Sequence, residues 1–195
     1  MALINLRNAL MTGKRLPYDA EVEYLQSTGT QYLDTGERIY NDTSVTVTMY
    51  SDYSTNTATY FFGSDSSTER FYFREYQGNA SFSAGGWWEN TSISFVGTHT
   101  VTMTNNSITV DGVSSSRTGD SKTGVGKLLL FKAGTYGMTA SGVRILHCQI
   151  HQNGVLVRDY IPVRKKTVGY LYDRVSGALY GNAGTGDFVL GPDKD

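Results

Sequence analysis

The chain has 195 residues, enough for one domain with a sizeable core and short for two. Its 17 basic and 18 acidic residues leave a net charge of −1, so no field of one sign argues for nucleic acid as a partner. The single cysteine, Cys148, excludes an internal disulfide and a cysteine-based zinc cluster, and no apolar run reaches the roughly 20 residues of a membrane-spanning helix.

Residues 1–18 read as an arm. Leu3, Leu6 and Leu10 recur at helical spacing with Ile4 and Met11 beside them, and Gly13 and Pro17 end the pattern. An isolated helix of this length is marginal in water and needs a surface to pack on, either its own domain or a partner subunit. Asn5, Arg7 and Asn8 interrupt the apolar stretch, so "MALINLRNALMTGKR" does not read as a signal peptide.

From Glu21 onward the period is 2, and the 22 glycines and 14 tyrosines agree with β structure. "EVEYLQSTGTQYLDTG" predicts two short strands around Ser27–Thr30. "SVTVTMYSDY" sets Val45, Val47 and Met49 on one face and Thr46, Thr48 and Tyr50 on the other. "TYFFGS", "RFYFREYQG" and "ASFSAGGWW" follow. "GTHTVTMTNNSITVDGV" predicts a hairpin turning at Asn105-Asn106, with a second turn at Asp111-Gly112. The Ser/Thr/Gly stretch 114–126 predicts a flexible loop, and "KLLLFKAG" a strand buried on both faces. "GVRILHCQIHQNGVLVRDYIPV" predicts a hairpin turning at Asn153-Gly154. On its first strand His147, Gln149 and His151 face one way, and Leu146, Cys148 and Ile150 the other.

The closing "VGYLYDRVSGALYGNAGTGDFVLGPDKD" is rich in glycine, yet a strand and a proline follow "GNAGTG" where a phosphate-binding loop needs a helix. The stretch predicts a hairpin. Asp173 accepts from its own turn, Gly177 supplies the left-handed position, and Gly181, Gly184 and Gly186 allow bends before a last strand at Asp187–Leu190. Many strands separated by Gly, Asn and Asp turns give an all-β sandwich or barrel.

Three segments carry a resemblance: "VEYLQSTGTQYLDTG", "GTHTVTMTNNSITVDGV" and "RDYIPVRKKTVGYLYDRVSGALYGNAGTGDFVLGP". They resemble concanavalin A-like (laminin G/pentraxin-like) jelly-roll domains, more narrowly those found in proteins of gut bacteria and their phages. The resemblance implies an antiparallel two-sheet jelly-roll sandwich over residues 19–195, first and last strands adjacent, behind a short helical or extended arm. It does not fix a function, because the fold hosts lectins, glycosidases, adhesion modules and virion proteins.

Catalysis finds little support. Glucanases of this fold carry a Glu-x-Asp-x-x-Glu run, which sets carboxyls on one strand face about 5–5.5 Å apart in a retaining enzyme. Here Glu21, Glu23, Glu37, Glu69, Glu75 and Glu89 are scattered. His147 and His151 lie too far apart along a strand to share one metal. No cofactor is expected beyond a calcium ion in the acidic loop Ser64–Glu69, which solvated turns imitate. Trp87 and Trp88 point to opposite faces of a strand, so one is free to stack on a sugar while Arg74, Tyr76 or Asn90 hydrogen-bonds it; the alternative packs both, in the core and at a subunit contact.

Three functional readings follow. The first is a non-catalytic phage virion protein (head decoration, head fibre or tail-associated) with an outward-facing lectin-like domain. Its arm (Leu3, Ile4, Leu6, Leu10, Met11) would join homo-oligomers and other virion proteins. The second is a carbohydrate-binding adhesin module at a bacterial surface or outside the cell, taking host or mucosal glycans. The third, a glycoside hydrolase, lacks its carboxylate pair. Neither nucleic acid nor membrane insertion is expected.

Overall fold

The computed structural model describes residues 15–52, 59–65, 69–85, 88–134 and 141–195. The arm residues Leu3, Ile4, Leu6, Leu10 and Met11 lie outside them, as does Trp87. Among the described residues every regular element is a strand, and no helix is long and apolar enough to cross a membrane.

The first half of the chain forms β1 (Ala20–Glu21), β2 (Leu25–Thr28), β3 (Leu33–Tyr40), β4 (Ser44–Ser51), β5 (Thr59–Asp65), β6 (Arg70–Tyr76), β7 (Asn79–Ser83) and β8 (Trp88–Ser94). The second half forms β9 (Gly97–Met103), β10 (Ser107–Val110), β11 (Val113–Ser116), β12 (Thr123–Leu130), β13 (Ser141–Gln152), β14 (Val155–Lys165), β15 (Val168–Asp173), β16 (Leu179–Tyr180) and β17 (Val189–Leu190). They make two antiparallel sheets. The eleven-stranded sheet runs β11-β10-β9-β4-β13-β14-β15-β16, with β1 on β14 and β2 between β13 and β17. The six-stranded sheet runs β3-β12-β5-β6-β7-β8. The pairing of β2 with β17 and the bridge Val22–Asp193 bring the two ends of the fold together, as the jelly-roll resemblance implies.

The two sheets bury one core of complementary character. The larger sheet supplies aliphatic side chains, Val45, Val47, Met49, Val101, Ile145 and Ile150. The smaller supplies aromatic ones, Phe61, Phe62, Phe71, Phe73 and Phe82; Phe61, Phe62 and Phe73 meet tilted, and Phe73 meets Phe95 edge-on at 4.7 Å and 80°. β4 alternates as its sequence predicts, with Val45, Val47 and Met49 fully buried. The break between β2 and β3 is a crossing between sheets, because these two strands belong to different ones.

The turns follow local chemistry. Asn153 and Gly154 take φ of 51° and 72°, the two left-handed positions of a tight hairpin turn. Asp173 accepts from the backbone N–H of Val175 at 3.1 Å and of Ser176 at 3.2 Å, and from Ser176 Oγ at 2.6 Å. Gly184 lies where a Cβ would come within 2.0 Å of the Thr30 carbonyl oxygen, so the closing glycines serve close packing of the chain.

Two expectations need correction. The predicted loop 114–126 contains most of β11 and the start of β12, leaving only 117–122 between strands. Its register is held because Asn41 Oδ1 accepts from Lys122 N at 2.7 Å, and Lys122 Nζ donates to the carbonyls of Ala84 and Asp120. Leu146 does not join Cys148 and Ile150 in the core row. The β13–β4 register slips between Ile145 and His147, so Leu146 is the extra residue of a bulge and stays half-buried.

Candidate functional site

A glycine interrupts β3 in the segment "LDTGERIY". Lys127 and Leu129, two apart on β12, pair with Arg38 and Asp34, four apart on β3, so β3 carries two extra residues around Gly36. Gly36 has φ +75°, which glycine takes without strain. The bulge satisfies itself: Asp34 Oδ1 accepts from Gly36 N at 2.9 Å, and Thr35 Oγ1 accepts from Glu37 N at 3.1 Å while donating to the Leu128 carbonyl at 2.7 Å. Those bonds occupy N–H groups of an edge strand and blunt that edge.

The bulge also aims Glu37 across the sandwich. Its Oε1 meets Arg158 Nη2 of β14 at 2.7 Å, and its Oε2 accepts from Gln152 Nε2 at 3.2 Å. The opposite wall is Tyr180 on the edge strand β16. The Asp173 turn delivers this ring, which packs edge-on against Tyr160 at 5.1 Å and lies beside the Arg158 guanidinium at 5.8 Å. The result is an open cleft of about 310 Å³ between the edges of the two sheets, lined by Asp34, Gly36, Glu37, Arg38, Lys127 and Tyr180.

Its polar groups are fixed in place. Lys127 Nζ donates to Asp34 Oδ2 at 2.9 Å, and Arg38 Nη1 donates to the Gly124 carbonyl at 3.1 Å. Burial works to raise the Asp34 pKa, but the Gly36 N–H and the Lys127 ammonium outweigh it, and the carboxyl sits below its ordinary range. Asp34 is therefore ionised at neutral pH and accepts rather than donates. A tyrosine ring beside oriented carboxylates and cations suits a polyhydroxylated ligand: the ring takes an apolar C–H face, and the charged groups take hydroxyls.

Of the residues singled out in the sequence as a ligand site, Arg74 and Tyr76 do not line this cleft. Arg74, Tyr76, Trp88 and Asn90 belong to the six-stranded sheet, where the register sets Arg74 opposite Ser81 and Ser81 opposite Asn90, with Trp88 opposite Ser83. Arg74 is only 7% exposed. Its guanidinium lies over the rings of Tyr60, Tyr72 and Tyr76 at 5.7, 5.5 and 5.3 Å, and its Nε donates to Ser81 Oγ at 3.3 Å. Burial, followed by smaller contributions from its neighbours, pushes the Tyr72 hydroxyl up to about 12. Arg74 and its tyrosines thus form a packed cluster.

The acidic loop at Ser64–Glu69 is described only at its ends. Asp65 pairs with Arg70 Nε at 3.3 Å, and Glu69 Oε1 accepts from Thr123 N at 2.8 Å and Oγ1 at 2.5 Å. His147 faces away from Cys148 and meets Asp159 Oδ1 at 2.7 Å, while Arg174 Nη2 holds Asp159 Oδ2 at 2.6 Å. Burial raises the pKa of the Cys148 thiol, so it is protonated and inert. Glu37 was legible only as one of several scattered glutamates. The signal that would have found the cleft is the glycine inside a strand pattern at residue 36, a mark of a bulge.

No protein-family model and no curated protein matches the chain. Among solved structures the chain is similar to a "putative carbohydrate binding protein" from Bacteroides ovatus ATCC 8483, with a TM-score of 0.58 and 11% identity over 87% of this chain. The chain spans 60% of that protein's length. It also aligns with the binding domain of botulinum neurotoxin serotype D, with a TM-score of 0.44 and 12% identity over 89% of this chain and 67% of the other. The first similarity shows a shared β-sandwich fold.

Proposed function

We propose that this domain is a non-catalytic carbohydrate-binding module, of the kind that serves as an adhesin, and that it takes its ligand in the cleft between β3 and β16. The observation that carries the reading is the Tyr180 ring set beside Asp34, Glu37, Arg38 and Lys127 in one open cleft. The fold shared with the Bacteroides ovatus protein, whose name is a carbohydrate-binding one, supports it. The virion reading rests on an arm outside the described residues, and no observation on the described ones adds to it.

The test is a broad glycan array followed by calorimetric titration of the best binder. Tyr180→Ala and Glu37→Gln should each weaken binding about tenfold, the scale of one lost ring contact or one charge-assisted hydrogen bond. Wild-type affinity in both variants would remove the cleft from the account. A protein that binds no glycan on the array would remove carbohydrate with it.

A further inference from the structure

A second side-chain arrangement lies on the outward face of the eleven-stranded sheet. Arg144 of β13 stands opposite Tyr50 of β4 on one side and Gln26 of β2 on the other. Its guanidinium carbon sits over the Tyr24 ring, 4.5 Å from its centre, and over the Tyr50 ring, 4.7 Å from its centre, so two aromatic rings flank the group. Gln26 Oε1 accepts from its Nε at 2.8 Å. Among the described residues no carboxylate pairs with Arg144, and its two Nη groups donate to no protein acceptor.

This leaves a guanidinium held at its Nε by Gln26 and flanked by two rings, with an outer fork that has no acceptor among the described residues. Such a fork matches the two oxygens of a carboxylate and loses little conformational freedom on binding, since the rings have already fixed its orientation. We propose that Arg144, held by Tyr24, Tyr50 and Gln26, is a carboxylate-binding site that selects acidic, uronate-bearing polysaccharides. The inference rests on the carbohydrate reading above and adds the ligand's charge class and a second point of contact.

The probes are oligomers of polygalacturonate, alginate and hyaluronan, each compared with its methyl ester, titrated at low salt into the full chain. At least one acid form should bind tenfold or more tightly than its ester. Arg144→Lys keeps the charge but loses the fork, and should remove about tenfold of that affinity while shifting the melting temperature by no more than about 2 °C. Tyr50→Leu should act in the same direction. Equal affinity for acid and ester, wild-type binding by Arg144→Lys, or no binding of any acid form would each overturn the proposal. Loss through Arg144→Lys with no effect of Tyr180→Ala would keep this site and overturn the cleft. Loss through Tyr180→Ala alone would keep the cleft and overturn this site.

Discussion

Along β4 every second residue is at least partly exposed, whereas along β6 the five central residues, Phe71–Glu75, are all buried. The two strands lie in facing sheets and both send alternate side chains into the same core, Val45 and Met49 from one, Phe71 and Phe73 from the other. The difference is on their other faces. Thr46 and Thr48 of β4 pair with Thr102 and Thr100 of β9, hydroxyl to hydroxyl, at 3.0 and 3.1 Å, the first pair half-buried and the second exposed. Tyr72 and Arg74 of β6 are 3% and 7% exposed, with Ser81 and Ser83 of β7 fully buried beside them. A strand covered on both faces is stabilised by packing and punishes added volume. A sheet with one open face is stabilised by its core face, its turns and its polar network, and tolerates change outside.

The largest expected effect is therefore at the covered strands β5 and β6. Gly63 of β5 has φ +126°, and a Cβ there would come within 2.1 Å of the Phe71 carbonyl oxygen and 2.5 Å of Tyr72 Cα, both backbone atoms. Gly63→Ala should destabilise the domain by about 3 kcal/mol or more, from combined backbone strain and overpacking, read by denaturant unfolding. A loss near zero would show that β5 and β6 separate easily, which doubly covered strands do not allow.

In the open-faced sheet the comparable weak point is a turn. The Asp173 side chain has no solvent exposure. Burial raises its pKa, but donors from Ser176, Asp159 N–H and Val175 N–H outweigh that and lower it overall. Its carboxylate also lies 3.4 Å from Arg158 Nη1, so the turn and the cleft share an anchor. Asp173→Ala should cost about 2 kcal/mol. Because the folded pKa is the lower one, this stabilisation is complete above the unfolded value of about 3.9 and is lost as pH falls below it. Acid titration of unfolding should show wild type losing stability below about pH 4, with the variant's curve flatter there. Parallel curves would mean that Asp173 titrates as it does in the unfolded chain.

The same contrast explains what the sequence revealed. Where structure is decided locally it was legible: the β4 alternation, the Asn153-Gly154 turn, and Asp173 with Gly177. The burial of Tyr72 and Arg74 was not, because alternation reports only that one face is buried and says nothing of a covered second face. The bulge at Leu146 and the strand inside the predicted loop depend on pairing with β4 and β10, which residue order alone does not express. The cleft was the least legible feature. Asp34, Lys127, Arg158 and Tyr180 come from four strands and meet only because the edges of two sheets close on each other, so no spacing rule links them.

The smallest expected effect is on the open face. Thr48→Val removes one hydroxyl from the Thr48–Thr100 pair, whose members stand 3.1 Å apart in solvent. Thr100 then bonds to water instead, so no buried polar group is stranded, and valine suits a strand at least as well as threonine. The change should stay within about 0.5 kcal/mol in either direction. The same substitution at a buried position would strand a partner: Thr91, 8% exposed, donates its hydroxyl to the Ala80 carbonyl at 2.6 Å. Thr91→Val should cost about 1–2 kcal/mol by leaving that carbonyl short of a donor. Measuring both variants by denaturant unfolding tests the comparison at constant chemistry, because one threonine hydroxyl is lost in each. If Thr48→Val proves as costly as Thr91→Val, the threonine row is a structural brace, and the face beside Arg144 is not the open surface that a polysaccharide needs.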